Sequence, residues 1–227
     1  MKQYWLREEI SIADELLALA PALTKEFLAY HTDFVDGDFV NGKPYVNSTF
    51  DTNEIQSRDA AWKMDLLRYT HKEKNVKINT YTDPETKEKF PTATALTEKY
   101  ADDCPISCFS ILEKQSVITR HTGIENRDNE FLRIHVPLIV PKGDIFFECE
   151  GIEIDWSDIW GFNNQLVHSA YNHTDFRRLV FLIDIRRESI GLPPEPKYDP
   201  HREMFFHKRG FERGAKPKVY HTCQLVK

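Results

Sequence analysis

Phe131-Leu132-Arg133-Ile134-His135-Val136-Pro137 and Arg178-Leu179-Val180-Phe181-Leu182-Ile183-Asp184-Ile185 are the two stretches on which the reading of this chain turns. In the first, Leu132, Ile134 and Val136 alternate with Arg133 and His135, so a strand sends the apolar residues to one face and the two polar ones to the other. In the second both faces are apolar apart from the ends, the pattern of a strand buried on two sides. Arg178 is then held at the rim of a buried face, where an unpaired guanidinium is costly. It requires an anionic partner, from the protein or from a ligand.

Working outward, residues 106–112, 115–119, 145–149, 151–154 and 165–172 also read as short strands, punctuated by turn signals such as Pro141-Lys142-Gly143-Asp144. Many short strands following a helical region predict a mainly β protein, a closed or two-sheet jelly roll with a helical buttress. His168 lies on what reads as the strand antiparallel to 178–185, joined to it by Asn172-His173-Thr174-Asp175. This would put a histidine and a carboxylate-seeking arginine on neighbouring strands.

Before residue 105 the expectation is helix and loop. Ile12, Leu16, Leu19, Leu23 and Phe27 recur at helical spacing, behind a weak capping box of Ser11 and Asp14, with Pro21 kinking the run or starting a second helix. Further helices are expected over 60–69 and 92–100, separated by the polar stretch 72–88. The stretch 32–57 is turn-rich, with hairpin signals at Asp36-Gly37 and Asn41-Gly42. The division is therefore residues 1–104 as a helical and loop part packing on the barrel, 105–187 as the core, and 188–227 as an extension with a basic tail.

Composition narrows the function classes. The 227 residues carry a net charge of −6, which argues against a nucleic-acid footprint over the whole surface. The longest apolar run, 16–23, is too short for a bilayer, and the acidic N-terminus is unlike a signal peptide, so a cytoplasmic protein with no membrane partner is expected. Cys104, Cys108, Cys149 and Cys223 form no CxxC pair and are read as free, mostly buried thiols. The N-x-T triplets at Asn47 and Asn172 carry no weight without an export signal.

Four motifs in order make the chain recognisable. Arg120-His121-Thr122-Gly123, the run from Leu132 to Pro141, His168-Ser169-Ala170-Tyr171-Asn172 and the stretch from Arg178 resemble the core of the aspartyl/asparaginyl β-hydroxylase family. The resemblance implies a double-stranded β-helix in which His121 and His168 bind Fe(II). It implies 2-oxoglutarate as cosubstrate with O2, its distal carboxylate on Arg178 assisted by Ser110, eleven residues before His121. Arg133 and His135 would lie near the metal-side carboxylate or the substrate. Chemistry agrees with these roles: neutral imidazoles suit Fe(II), and a planar guanidinium matches a carboxylate as a fork.

The chain also departs from wider patterns. Related oxygenases commonly hold iron with an HxD motif, and an Asp two residues after His121 could reach the metal; Gly123 offers no ligand. That leaves a halogenase as an alternative to a hydroxylase. Phe131 stands where the animal aspartyl hydroxylases usually carry arginine, and Asn163-Asn164 where the family often has two aspartates. Two rivals remain: a non-catalytic β-barrel binding protein, and a metal-dependent cupin that does not use 2-oxoglutarate. The expected substrate is a small molecule or a peptide residue.

Overall fold

The computed structural model describes residues 2–32, 34, 62–73, 76–81, 84–123, 126, 128–196 and 218–219. The hairpin signals at 36–37 and 41–42, the Asn47 triplet, Cys223 and nearly all of the basic tail lie outside the described residues.

Eight consecutive strands build the barrel: β4 (Ile106–Leu112), β5 (Ser116–His121), β6 (Phe131–Ile139), β7 (Ile145–Cys149), β8 (Ile152–Ile154), β9 (Trp160–Phe162), β10 (His168–Asn172) and β11 (Arg178–Arg186). They divide between two sheets. One contains the order β9-β6-β11-β4 and the other β8-β7-β10-β5, all antiparallel. Apart from the β7–β8 hairpin within the smaller sheet, successive strands thus cross between two facing sheets, which is the double-stranded β-helix, a cupin-like jelly roll.

The first sheet is widened to seven strands by the N-terminal part. Here β1 (Tyr4–Leu6) pairs with β9, and β2 (Trp62–Glu73) pairs with both β4 and β3 (Val76–Tyr81). In the smaller sheet β12 (Lys218–Val219) runs parallel to β8. The helix expected over 60–69 is therefore a strand, and much of the polar stretch 72–88 is its partner and a short helix, α2 (Pro84–Lys89). The reason is tertiary: the edge of β4 presents unpaired backbone groups that β2 satisfies. Trp62, Met64 and Leu66 face inward beside Leu112, Ser110 and Cys108, until a bulge between Leu66 and Arg68 shifts the register.

Helix α1 (Ala13–Tyr30) runs through Pro21 as one helix. Its capping box does not form, because the Ser11 hydroxyl donates to the Ile190 carbonyl at 3.0 Å and Asp14 binds Arg7 at 2.7 Å. Together with α3 (Pro91–Lys99), whose expected position holds, it covers the outer face of the large sheet. Leu16, Leu23 and Phe27 of α1 share one core with Leu132, Ile134 and Val136 of β6 and with Leu179, Phe181, Ile183 and Ile185 of β11. With those faces spent on the helices, Arg133, His135, Arg178 and Leu182 face the barrel interior. Cys104, Cys108 and Cys149 are buried free thiols.

Candidate active site

Two histidines meet across one strand pair. His168 opens β10 and His121 closes β5, directly opposite in register, and their ring centroids lie 4.2 Å apart. His168 is buried, and its Nδ1 donates to the Leu166 carbonyl at 2.7 Å. That bond selects the tautomer whose Nε2 carries the lone pair, the usual orientation device for a metal-binding imidazole. Burial, and next the neighbouring His121, hold the pKa of His168 well below 6.5, so the ring is neutral and able to ligate. Among the described residues no group of three or more His, Cys, Asp or Glu is placed to hold a metal.

Gly123 could not supply a third ligand by simple substitution. A Cβ there would sit 2.5 Å from Asn164 Nδ2 and 2.9 Å from the Asn164 carbonyl oxygen, and the Gly123 N–H donates to that carbonyl at 2.6 Å. Asn164 is pinned in turn: its Oδ1 accepts from Asn126 Nδ2 at 2.7 Å, and Asn126 is held by the backbone of Phe131. The expectation that an aspartate at 123 could reach the metal therefore meets a filled space. Gly123→Asp should lose about 1–3 kcal/mol of stability or more through overpacking, without tightening iron. Thermal unfolding beside an iron titration checks this; unchanged stability with tighter iron would defeat it.

Arg178 is buried inside the barrel with its Nε unpartnered, and no carboxylate among the described residues pairs with it. Its nearest polar contact is a long one, Nη2 to Ser110 Oγ at 3.5 Å. Burial pulls its pKa down to about 9, which still leaves it charged at neutral pH. Ser110 is oriented by Trp62, which lies within the stretch expected to be helical: its Nε1 donates to Ser110 Oγ at 2.9 Å. The hydroxyl oxygen is thereby an acceptor from Trp62, and its own hydrogen is left to donate into the cavity.

The structure brings all six sequence-predicted residues, Ser110, His121, Arg133, His135, His168 and Arg178, to one cavity, with Trp62, Phe147, Phe162 and Leu182 completing much of its wall. Arg133 differs from expectation in one respect. Its Nε and Nη2 bind Asp184 Oδ1 and Oδ2, each at 2.8 Å, across the β6–β11 register. Asp184 was visible in the sequence only as a polar residue at the end of an apolar strand.

His135 sits among Trp160, Phe162, Phe147 and Trp156, at ring separations of 4.6 to 5.6 Å, with Nδ1 unpartnered. Burial, then Arg178 and Arg133, keeps its pKa well below 6.5. The unfolded chain protonates this histidine as pH falls below about 6.5, whereas the folded chain does not until lower pH. The stability it permits is therefore present above 6.5 and is lost on acidification, at up to about 1.4 kcal/mol per pH unit. Metal-free His135→Phe should show a flatter acid limb in urea unfolding between pH 7 and 5; an identical limb would remove His135 as its source.

A family model described as aspartyl/asparaginyl beta-hydroxylase matches residues 12–188. The chain belongs to this family. By that membership it is a hydroxylase. No curated protein matches the chain. Among solved structures, this β-hydroxylase family member is similar to a Pseudomonas putida prolyl-4-hydroxylase, with 13% identity, 82% of this chain and 92% of that chain covered, and a TM-score of 0.42. It is also similar to a Trichoplax adhaerens prolyl hydroxylase solved with a hypoxia inducible factor peptide, with 13% identity, 76% and 80% covered, and a TM-score of 0.41. A 2OG-Fe(II) oxygenase family oxidoreductase from Burkholderia pseudomallei gives 11% identity, 59% and 73% covered, and a TM-score of 0.41. Among the described residues of this β-hydroxylase family member, no helix is long and apolar enough to cross a membrane.

Proposed function

We propose that His121 and His168 hold Fe(II), and that 2-oxoglutarate lies between them and Arg178, with its distal carboxylate on Arg178 and Ser110. The reaction inserts one oxygen atom of O2 into an unactivated C–H bond of an amino acid, peptide residue or small metabolite. The other oxygen atom enters succinate as CO2 is released. Iron supplies the activation of O2; the residues of this chain bind, orient and exclude water. Residues 105–187 form the catalytic core, residues 1–104 pack on it, and residues 188–227 are an extension; the protein works without a membrane or nucleic-acid partner, in the cytoplasm.

The single observation that carries this reading is the buried, charged Arg178 with no carboxylate partner among the described residues. A folded protein tolerates such a group where a ligand neutralises it. Ser110 beside it offers an O–H, and the neutral, tautomer-fixed His168 provides a lone pair in the same cavity. A binding protein or a cupin acting without 2-oxoglutarate would have no use for that combination. Arg133, bound to Asp184, contributes positive field and shape near the metal-side carboxylate, with two of its nitrogens already committed.

The test is anaerobic addition of Fe(II) and 2-oxoglutarate, followed by O2. The reading expects a visible metal-to-ligand charge-transfer band before O2 and succinate afterwards. Iron binding without the band would overturn the cosubstrate assignment and favour the cupin alternative. Chlorinated in place of hydroxylated product in chloride buffer would favour the halogenase.

A further inference from the structure

Arg178 carries its guanidinium into the barrel interior and over an aromatic ring: Cζ lies 4.5 Å from the centroid of Trp156. Trp156 belongs to the bend between β8 and β9. That bend is set locally: Asp155 Oδ1 accepts from the Ser157 N–H at 2.9 Å and from its hydroxyl at 2.5 Å, and the Asp155 carbonyl accepts from the Trp160 indole at 3.0 Å. The ring is wedged against Trp160 at 4.9 Å and His135 at 5.4 Å, so close packing denies it another rotamer.

A tryptophan buried only to fill a core normally finds an acceptor for its indole N–H. The Trp156 N–H is buried without one, and its two neighbours Arg178 and His135 each carry an unpartnered buried nitrogen as well. Its ring face is spent on a cation in a dry wall, an arrangement in which the cation–π attraction is strongest. The guanidinium is thereby held against the ring, with Nη2 beside Ser110 in the cavity wall.

We propose that Trp156 is a positioning residue for the distal carboxylate of the cosubstrate, acting through Arg178 and selecting 2-oxo diacids over 2-oxo monoacids. This rests on the assignment of Arg178 given above. Trp156 makes its charged contact with Arg178 and packs otherwise on Trp160 and His135, so its removal weakens ligands that carry a second carboxylate more than those that do not.

The experiment is calorimetric titration of the Fe(II)-loaded protein without O2, using 2-oxoglutarate and pyruvate, on wild type, Trp156→Leu and Trp156→Phe. Trp156→Leu should lose at least about fivefold in 2-oxoglutarate affinity, the lower part of the cation–π range, with pyruvate binding unchanged. Trp156→Phe should recover most of that loss, because a phenyl face still covers the guanidinium. An unaltered ratio of the two affinities in Trp156→Leu, or an equal loss of both ligands, overturns the proposal. Should Trp156→Leu not fold, Trp156→Phe decides: a small loss confined to 2-oxoglutarate supports it and none overturns it. A wild type that binds 2-oxoglutarate no better than pyruvate instead overturns the Arg178 assignment itself.

Discussion

Arg178→Met should abolish saturable 2-oxoglutarate binding while making the ligand-free protein more stable. The two halves of this result share one cause. In the free protein the guanidinium is buried, with its Nε unpartnered and a weak 3.5 Å contact as its only hydrogen bond among the described residues. Replacing a buried charge that has no anionic partner among the described residues with an apolar side chain of similar length removes a desolvation penalty that outweighs the Trp156 contact, which should raise the unfolding free energy by on the order of 1 kcal/mol. In the complex the same guanidinium would fork onto the carboxylate, and truncating one side of such a pair costs about 2–5 kcal/mol. The corresponding loss of affinity is about 30-fold to several thousand-fold. Urea unfolding with and without saturating 2-oxoglutarate measures both at once. Wild type should be stabilised by the ligand and the variant should not, yet the variant should be the more stable when neither has ligand. A destabilised variant that still binds 2-oxoglutarate normally would make Arg178 a structural residue.

The second large effect is expected at His168. With His121 and His168 as the two proposed protein ligands, His168→Ala removes one of them. Loss of a residue that only hydrogen-bonds a ligand typically weakens metal affinity by about 10- to 100-fold, so loss of a ligand should exceed about 100-fold. The fold should persist, because His168 lies at the end of β10 and makes its side-chain hydrogen bond to a local carbonyl. Iron content after equilibrium dialysis, with circular dichroism as the control, checks this. Stoichiometric iron in a folded His168→Ala protein would remove His168 from the centre. His121→Ala should behave alike, since the two rings face each other at 4.2 Å.

Much of the core was legible because strand periodicity is a local property. Leu132, Ile134 and Val136 did go to the helix-covered face, and Arg133 and His135 to the interior. The first hundred residues were harder. Residues 62–69 carry apolar groups at spacings compatible with a helix, and nothing within them announces the free edge of β4 that makes β2 a strand. Misplacing that strand also hid Trp62, whose indole orients Ser110.

The sequence alone determined seven of the eight barrel strands, missing only the short β9 (Trp160–Phe162), along with which faces of β6 and β11 are polar and the order of the histidines, serine and arginine along the chain. Each follows from side chains alternating along a strand and from spaced motifs, both readable without knowing what lies opposite. The tertiary structure alone decided that Asp184 occupies two nitrogens of Arg133, that Asn164 fills the space beside Gly123, and that Trp156 covers Arg178. Those contacts join residues far apart in the chain, brought together by sheet register and the closure of two sheets on each other. A local period reports the face on which a side chain lies; what it meets there is fixed only when the barrel closes.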